Sequence, residues 1–363
     1  MNTPINLALQ GGGSHGAFTW GVLDMLLEDG RVELEGISGT SAGAMNAVAL
    51  AHGFAQAQGQ SPLQMREAAR ASLAHFWDGI VNMGAMASSI SQAQRAPLDI
   101  LFGGFGALTG GNHSPGQIFS DAMTSLWAKS VSPYQSNPLD INPLQKFLEN
   151  SIDFERLAAY KALKVFVVAT SVTTGKAEVF SGKRLSARAV MASACLPTVF
   201  QAVEIEGVHY WDGGFSGNPA IHPLIYECAS RDIVLVQINP IQRDKLPTTA
   251  GDIMDRVNEI TFNAALIAEM RAIDFVKRLL AEGKLDPARY KDVLMHRIDG
   301  GEILEGFHAS TKSATDAKLI HTLRDLGKDC AAQWLKRHYG SLGVECTVNI
   351  HRDYLDDLRV PSR

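Results

Sequence analysis

Cysteine is scarce in this 363-residue chain: Cys195, Cys228, Cys330 and Cys346 stand far apart, with no C-x-x-C pair. That scarcity excludes a disulfide framework and a paired-thiolate zinc site, and fits a reducing compartment. Positive charge is not in excess, since 33 Lys+Arg against 38 Asp+Glu leave a net charge of −5. A nucleic-acid polyanion is therefore not an expected partner. Long apolar runs are missing too: Asn46 and His52 interrupt the best candidate, after Ala42, well short of the roughly 18 residues a spanning helix needs. The opening MNTPINLALQ has no basic n-region, and a first core strand from about residue 5 leaves no space for a removable leader. These absences predict a cytoplasmic protein whose membrane contact, if it has one, is peripheral.

With 46% hydrophobic and 20% charged residues the chain has the composition of a folded globular protein. Strand-like and helix-like segments alternate, which predicts an α/β fold with a mainly parallel central sheet and helices on both faces. Ile5–Leu9 and Val32–Ser38 are short strands, and between them Phe18, Val22, Met25 and Leu26 recur at helical spacing up to Gly30, a C′ glycine. Leu163–Thr170 and Ala177–Phe180 read as neighbouring strands, Leu185–Ala194 as a helix, and Val203–Trp211 and Ile233–Ile238 as strands. Ile253, Val257, Ile260, Ile267, Met270 and Ile273 form a helical stripe, read as a face packed on the sheet rather than on lipid. Between Asn82 and Gly116 the chain turns to Gly, Ala, Ser and Met, which predicts a mobile insertion of the kind that covers a site. The resulting organisation is a catalytic region over 5–240, a mainly helical part over 241–345 and a polar tail over 346–363.

Two glycine-rich turns carry the chemistry. Gly11-Gly12-Gly13-Ser14-His15-Gly16 follows a strand and opens a helix, gathering backbone N–H groups and a positive helix end where an anion would sit. The string also satisfies G-x-G-x-x-G, and Glu33 or Glu35 lies near the place of a ribose-binding acid, so a nucleotide-binding module is a rival reading. No Gly-Lys-Ser/Thr follows, which excludes a P-loop. After the second strand stands Gly39-Thr40-Ser41-Ala42-Gly43, a G-x-S-x-G in strand-turn-helix context, which marks Ser41 as a nucleophile. The base is left open by residue order alone. His222, His296, His308, His321 and His338 all follow the serine, and Asp212, ahead of Gly213 and Gly214, ends a predicted strand.

The glycine loop, the serine turn, Ala192-Ser193-Ala194-Cys195-Leu196-Pro197, and Asp212-Gly213-Gly214 with Asn218-Pro219 resemble, in this order, four blocks of the patatin-like phospholipase family. The resemblance spans about residues 5–240 and implies that family's three-layer α/β sandwich. It also implies a Ser–Asp dyad without histidine: Ser41 as nucleophile, Asp212 as proton acceptor, and an oxyanion hole from the loop amides of Gly11, Gly12, Gly13 and Gly16. Gly39, Gly43, Gly213 and Gly214 would support the two turns. The implied activity is hydrolysis of fatty acyl esters of phospholipids or related lipids, needing no metal or organic cofactor, with acyl transfer from the same serine as an alternative. The family often carries arginine where this chain has His15, so His15 is a candidate modulator that titrates near neutrality. A free aspartate titrates near pH ~4, so Asp212 must lie in a dry pocket to act as base.

Overall fold

The computed structural model describes residues 3–89, 132–138, 140–307, 311 and 315–355. Among the described residues eight strands form one sheet: β1 (Thr3–Leu9), β2 (Val32–Thr40), β3 (Lys164–Ser171), β4 (Ala177–Ser181), β5 (Val203–Ile205), β6 (Val208–Asp212), β7 (Asp232–Gln237) and β8 (Leu294–Asp299). Their order is β5-β6-β3-β2-β1-β7-β8, with β4 also beside β3. The run from β3 to β8 is parallel, and β4, β5 and β6 pair antiparallel. This is the α/β sandwich that alternation of elements predicts.

Strand alternation sorts the apolar side chains onto two faces. Leu7 and Leu9 of β1, Val165 and Val167 of β3, and Val234 and Val236 of β7 enter one core. Ala8, Phe166, Ile233 and Leu235, their immediate neighbours, enter the other. Helices α1 (Gly16–Asp29), α2 (Ala42–Gln56) and α3 (Pro62–Ser89) belong to the first core, with short helices α4 (Pro143–Ser151), α5 (Phe154–Ala159) and α6 (Ala187–Ser193). The second is covered by α7 (His222–Glu227) and α8 (Ala250–Ala281). The last long helix, α9 (Ala317–His338), returns to the first face and lies along α1.

The contact between α1 and α9 matters for function because α1 begins at the glycine loop. At the crossing a Cβ on Gly327 would sit 2.1 Å from the Phe18 carbonyl oxygen, and one on Gly21 would sit 1.8 Å from that of Arg324. Only hydrogen fits at either position, so the backbones meet directly.

Three expectations need correction, and one strand is added. Val203–Trp211 is a hairpin rather than one strand, because Glu206 (φ 54°) and Gly207 (φ 79°) make a tight turn with both φ values positive. The mainly helical region after 241 also supplies β8, a strand not predicted from the sequence, because His296 and Arg297 break its apolar run and hide it. Residues 346–355 are not a polar tail: Val348, Ile350 and Tyr354 are buried in the second core, and the Tyr354 hydroxyl donates to Gln237. Asn82–Ser89 continue α3 rather than open an insertion, and residues 90–116 of that stretch lie outside the described residues. Among the described residues no helix is long and apolar enough to cross a membrane.

Gly327→Ala is expected to destabilise the fold by about 2 kcal/mol through backbone overpacking. A lowered midpoint in thermal denaturation checks this; an unchanged midpoint contradicts the crossing geometry.

Candidate active site

Three strands bring the serine turn to Asp212. On β3, β2 pairs along Lys164–Val168 and β4 along Phe166–Thr170, so these two occupy opposite edges. β6 pairs along Ala169–Ser171 while β4 is still present at Ala169 and Thr170, so β6 takes the edge that β2 has just left. Thr40 lies opposite Val168, and Asp212 opposite Ala169. Two strands running in opposite directions thus meet end to end, and the residue after Thr40 is Ser41. The Thr40 hydroxyl donates to the Gly217 carbonyl, 2.6 Å, and tightens the junction.

Ser41 has φ 53° and ψ −122°, a conformation disfavoured for an L-residue, at the sharp turn from β2 into α2. The turn is closed by contact on every side. A Cβ on Gly43 would stand 2.3 Å from the Leu9 carbonyl oxygen, so α2 starts directly against the end of β1. Gly39 faces the Gly43 backbone in the same way. Ser41 is half-buried and heads a 15-residue helix, whose positive end favours negative charge at its hydroxyl.

Asp212 is buried, 3% exposed, accepts a hydrogen bond from the Gly214 N–H (2.7 Å), and has the Ser41 hydroxyl beside it. Burial pushes its carboxyl from the ordinary 3.8 up to about 7, against the lowering effect of those two donors. Asp212 thus sits in the dry setting that a serine-activating carboxylate requires. Its ring of support includes Gly213, which lies against the Val168 carbonyl, and Phe262 of α8, which packs on Gly214.

The four glycines proposed for the oxyanion hole divide. The Gly11 N–H is committed to Asn218 Oδ1 at 2.7 Å, and the Gly16 N–H to the carbonyls of Gly13 and Ser14. Gly11 is needed instead for close approach, since a Cβ there would stand 2.7 Å from that of Ser41. Both are corrected from donors to packing positions. The amides of Gly12 and Gly13 donate to no protein atom among the described residues. His15 is buried, 2% exposed, with Nε2 2.8 Å from the Thr311 hydroxyl and its ring edge-on to Phe307.

Other candidates fall elsewhere. His222 contacts Glu269, buried His296 bonds Asp232 and Thr347, His321 faces Trp20, and His338 faces Trp334. His308 lies outside the described residues. Glu33 and Glu35 sit in the first half of β2; Glu35 is about 16 Å along the strand from Thr40 and accepts the N–H groups of Ala229 and Ser230. An acid so placed does not reach the glycine loop at the other end of β2. Among the described residues no group of three or more His, Cys, Asp or Glu is arranged to hold a metal ion.

Sequence reasoning missed the polar residues that hold the loop. Gln10, fully buried, accepts the N–H groups of Ile238 and Asn239 and donates to the Asn218 carbonyl and to Asn263 Oδ1. Asn239 donates to the Gly11 carbonyl at 2.7 Å. Asn46, fully buried in α2, donates to the Gly16 and Ala42 carbonyls, joining the starts of α1 and α2. The available signal was a polar side chain directly abutting an apolar run, as Gln10 does at the end of β1.

The raised carboxyl makes a stability prediction. The folded state keeps a proton on Asp212 up to about pH 7, whereas the unfolded chain loses it near 3.8. This contribution to stability is therefore complete below about pH 4 and lost as pH rises through 7. Asp212→Asn is expected to melt higher than the wild type at pH 8.5, with the advantage vanishing at pH 4. An advantage independent of pH contradicts the assignment.

A patatin-like phospholipase family model matches residues 7–225, more than half of the chain. Similar solved structures include VipD from Legionella pneumophila, at 17% identity and TM-score 0.41, covering 92% of this chain and 67% of that one. The type III effector protein ExoU is similar at 14% identity and TM-score 0.31, covering 92% of this chain and 53% of that one. No curated protein matches. The chain, with its serine turn, its glycine loop and Asp212 inside the matched span, belongs to the patatin-like phospholipase family.

Proposed function

We propose that the protein is a serine esterase that hydrolyses fatty acyl esters of phospholipids or related lipids, a carboxylic ester hydrolase of phospholipase A or lysophospholipase type. The observation that carries this reading is the meeting of the serine turn, which follows Thr40 at the end of β2, with buried Asp212 at the end of β6 on one edge of β3. Family membership supports lipid acyl esters as the substrate class.

In this mechanism Asp212 accepts the hydroxyl proton as Ser41 Oγ attacks the ester carbonyl carbon. The carbonyl electron pair moves onto oxygen, and the Gly12 and Gly13 amides, with the N-terminus of α2, meet the new charge. One such donor is typically worth ~3 kcal/mol. Collapse of the tetrahedral intermediate breaks the bond to the leaving alcohol, which takes the proton from Asp212 and departs. Water then attacks the acyl-serine, Asp212 again accepting the proton; the bond between the acyl carbon and Ser41 Oγ breaks, Oγ takes the proton back from Asp212, and fatty acid is released.

The substrate class gives meaning to an exposed face. The inner side of α8 begins with polar Glu259 and Asn263, both buried; Glu259 pairs with Arg243 and Arg256, and Asn263 donates to the Pro240 carbonyl. Its outer side carries Ile253 (47% exposed), Val257 (49%) and Ile260 (55%). The stripe read as sheet-packing is thus divided: Met270 and Ile273 are buried, and the first two turns point outward because polar partners occupy the inside. Phe262 on the same helix packs edge-on against Phe215, which is three residues past Asp212 and itself 40% exposed. A peripheral lipid surface docked on this face would be continuous with the surroundings of the reacting groups.

Ser41→Ala is expected to lower release of fatty acid from a phospholipid or short-chain ester at least about a thousandfold, and Asp212→Asn at least about a hundredfold. Wild-type activity in either variant overturns the dyad. Product partition between free acid and glycerol ester, measured with glycerol added, separates hydrolysis from acyl transfer. Replacing Val257 and Ile260 together with Glu is expected to reduce co-sedimentation with phospholipid vesicles roughly tenfold while leaving hydrolysis of a soluble ester unchanged. Unaltered vesicle binding contradicts the docking face.

A further inference from the structure

The nucleophile's own backbone amide poses a problem that strand pairing does not solve. Beyond Thr40 the edge of β3 is taken over by β6, so the next N–H, that of Ser41, has lost its place in the ladder. An unpaired buried N–H at this turn would favour relaxation out of the disfavoured φ of 53°, and rotation there swings Oγ away from Asp212. The acceptor comes from a distant element. The Ser41 N–H donates to Ser193 Oγ at 2.9 Å, and Ser193, fully buried, is the last residue of α6.

The same turn of chain reaches the other reacting group. Two residues after Ser193, the Cys195 carbonyl accepts the Asp212 N–H at 2.7 Å. Segment 193–195 is closed upon itself, with Ala194 N–H donating to the Met191 carbonyl and Cys195 N–H to that of Ala192. It is also anchored outward by Cys195 Sγ, which donates to the Gln201 carbonyl at 3.0 Å. Burial pushes the Cys195 thiol up to about 12, so this side chain anchors and packs rather than reacts.

We propose that the turn from Ser193 to Cys195 is a clamp that sets the spacing of Ser41 and Asp212, and that Ser193 is a positioning residue for the nucleophile. This rests on the Ser41–Asp212 reading above. The clamp holds each partner by its backbone N–H, and therefore leaves the serine hydroxyl and the carboxylate free to exchange a proton. Its two acceptors lie two residues apart in a hydrogen-bonded turn, so movement of one partner against the other requires that turn to open. Ser193 touches no reacting atom in this scheme; it acts through the main chain of Ser41.

The test compares Ser193→Ala and Ser193→Thr with the wild type in two measurements: kcat and KM on a soluble acyl ester, and the rate of covalent labelling of Ser41 by a fluorophosphonate, read by intact mass. Ser193→Ala is expected to lose about tenfold in kcat and in labelling rate with KM unchanged, as for one net hydrogen bond. Ser193→Thr, which keeps the oxygen, is expected to stay within about threefold of the wild type. Equal rates in wild type and Ser193→Ala overturn the proposal, as do equal losses in the Ala and Thr variants, which would trace the effect to packing. Should Ser193→Ala fail to fold, Ser193→Cys carries the comparison: it keeps the volume but offers a weak acceptor, and a wild-type labelling rate there overturns the clamp. A wild-type Ser41 that takes no label at all would instead refute the serine nucleophile, so the two failures are distinguishable.

Discussion

The structure depends on one junction, the end-to-end meeting of β2 and β6 along a single edge of β3. Because one strand runs parallel and the other antiparallel to β3, both arrive carboxyl end first. A hydroxyl and a carboxylate from distant parts of the sequence are thereby delivered to adjacent register positions. In the proposed dyad, side-chain pairing follows from backbone pairing and needs no long flexible arm on either residue. The surrounding glycines are consequences of the same junction: two strand ends, two helix starts and a loop converge where side chains would collide.

Putting a carboxylate at this junction has an energetic cost, and in the proposed mechanism that cost is what makes it a base. Burial disfavours the charged form of Asp212 and brings its affinity for a proton closer to what serine deprotonation needs. The Gly214 N–H and the Ser41 hydroxyl limit that shift, so the group is neither a permanent anion nor a permanent acid. The loop facing it follows a similar rule. Gln10, Asn218 and Asn239 hold the glycine loop through its Gly11 peptide and neighbouring backbone, and leave the Gly12 and Gly13 amides for the oxyanion of the proposed mechanism.

Much of this was legible in the sequence, for identifiable reasons. Apolar runs located β1, β3 and β7, and Gly30, at φ 70°, ended α1 where a C′ glycine was read. The serine turn announced itself because its geometry demands small neighbours at fixed spacing. Asp212 stands out by block order and not by periodicity, since its place depends on which edge of β3 it reaches. β8 escaped because a buried histidine, paired with Asp232 and therefore tolerated in a core, looks like a break in a strand. The reversed polarity at the start of α8 was hidden for the same reason: a stripe of Ile and Val records a period, not the side that faces inward. The roles of Ser193 and Gln10 are invisible in one dimension, because each satisfies backbone groups supplied by remote segments.

The most direct test of the central claim is the pH dependence of Ser41 labelling by a fluorophosphonate, measured in the wild type and in Asp212→Asn. If the buried carboxylate takes the serine proton, the wild-type rate rises sigmoidally with a midpoint near pH 7, and Asp212→Asn loses both the step and most of the rate. A wild-type profile that is flat across pH 5–9, or a step that survives the substitution, would contradict the account.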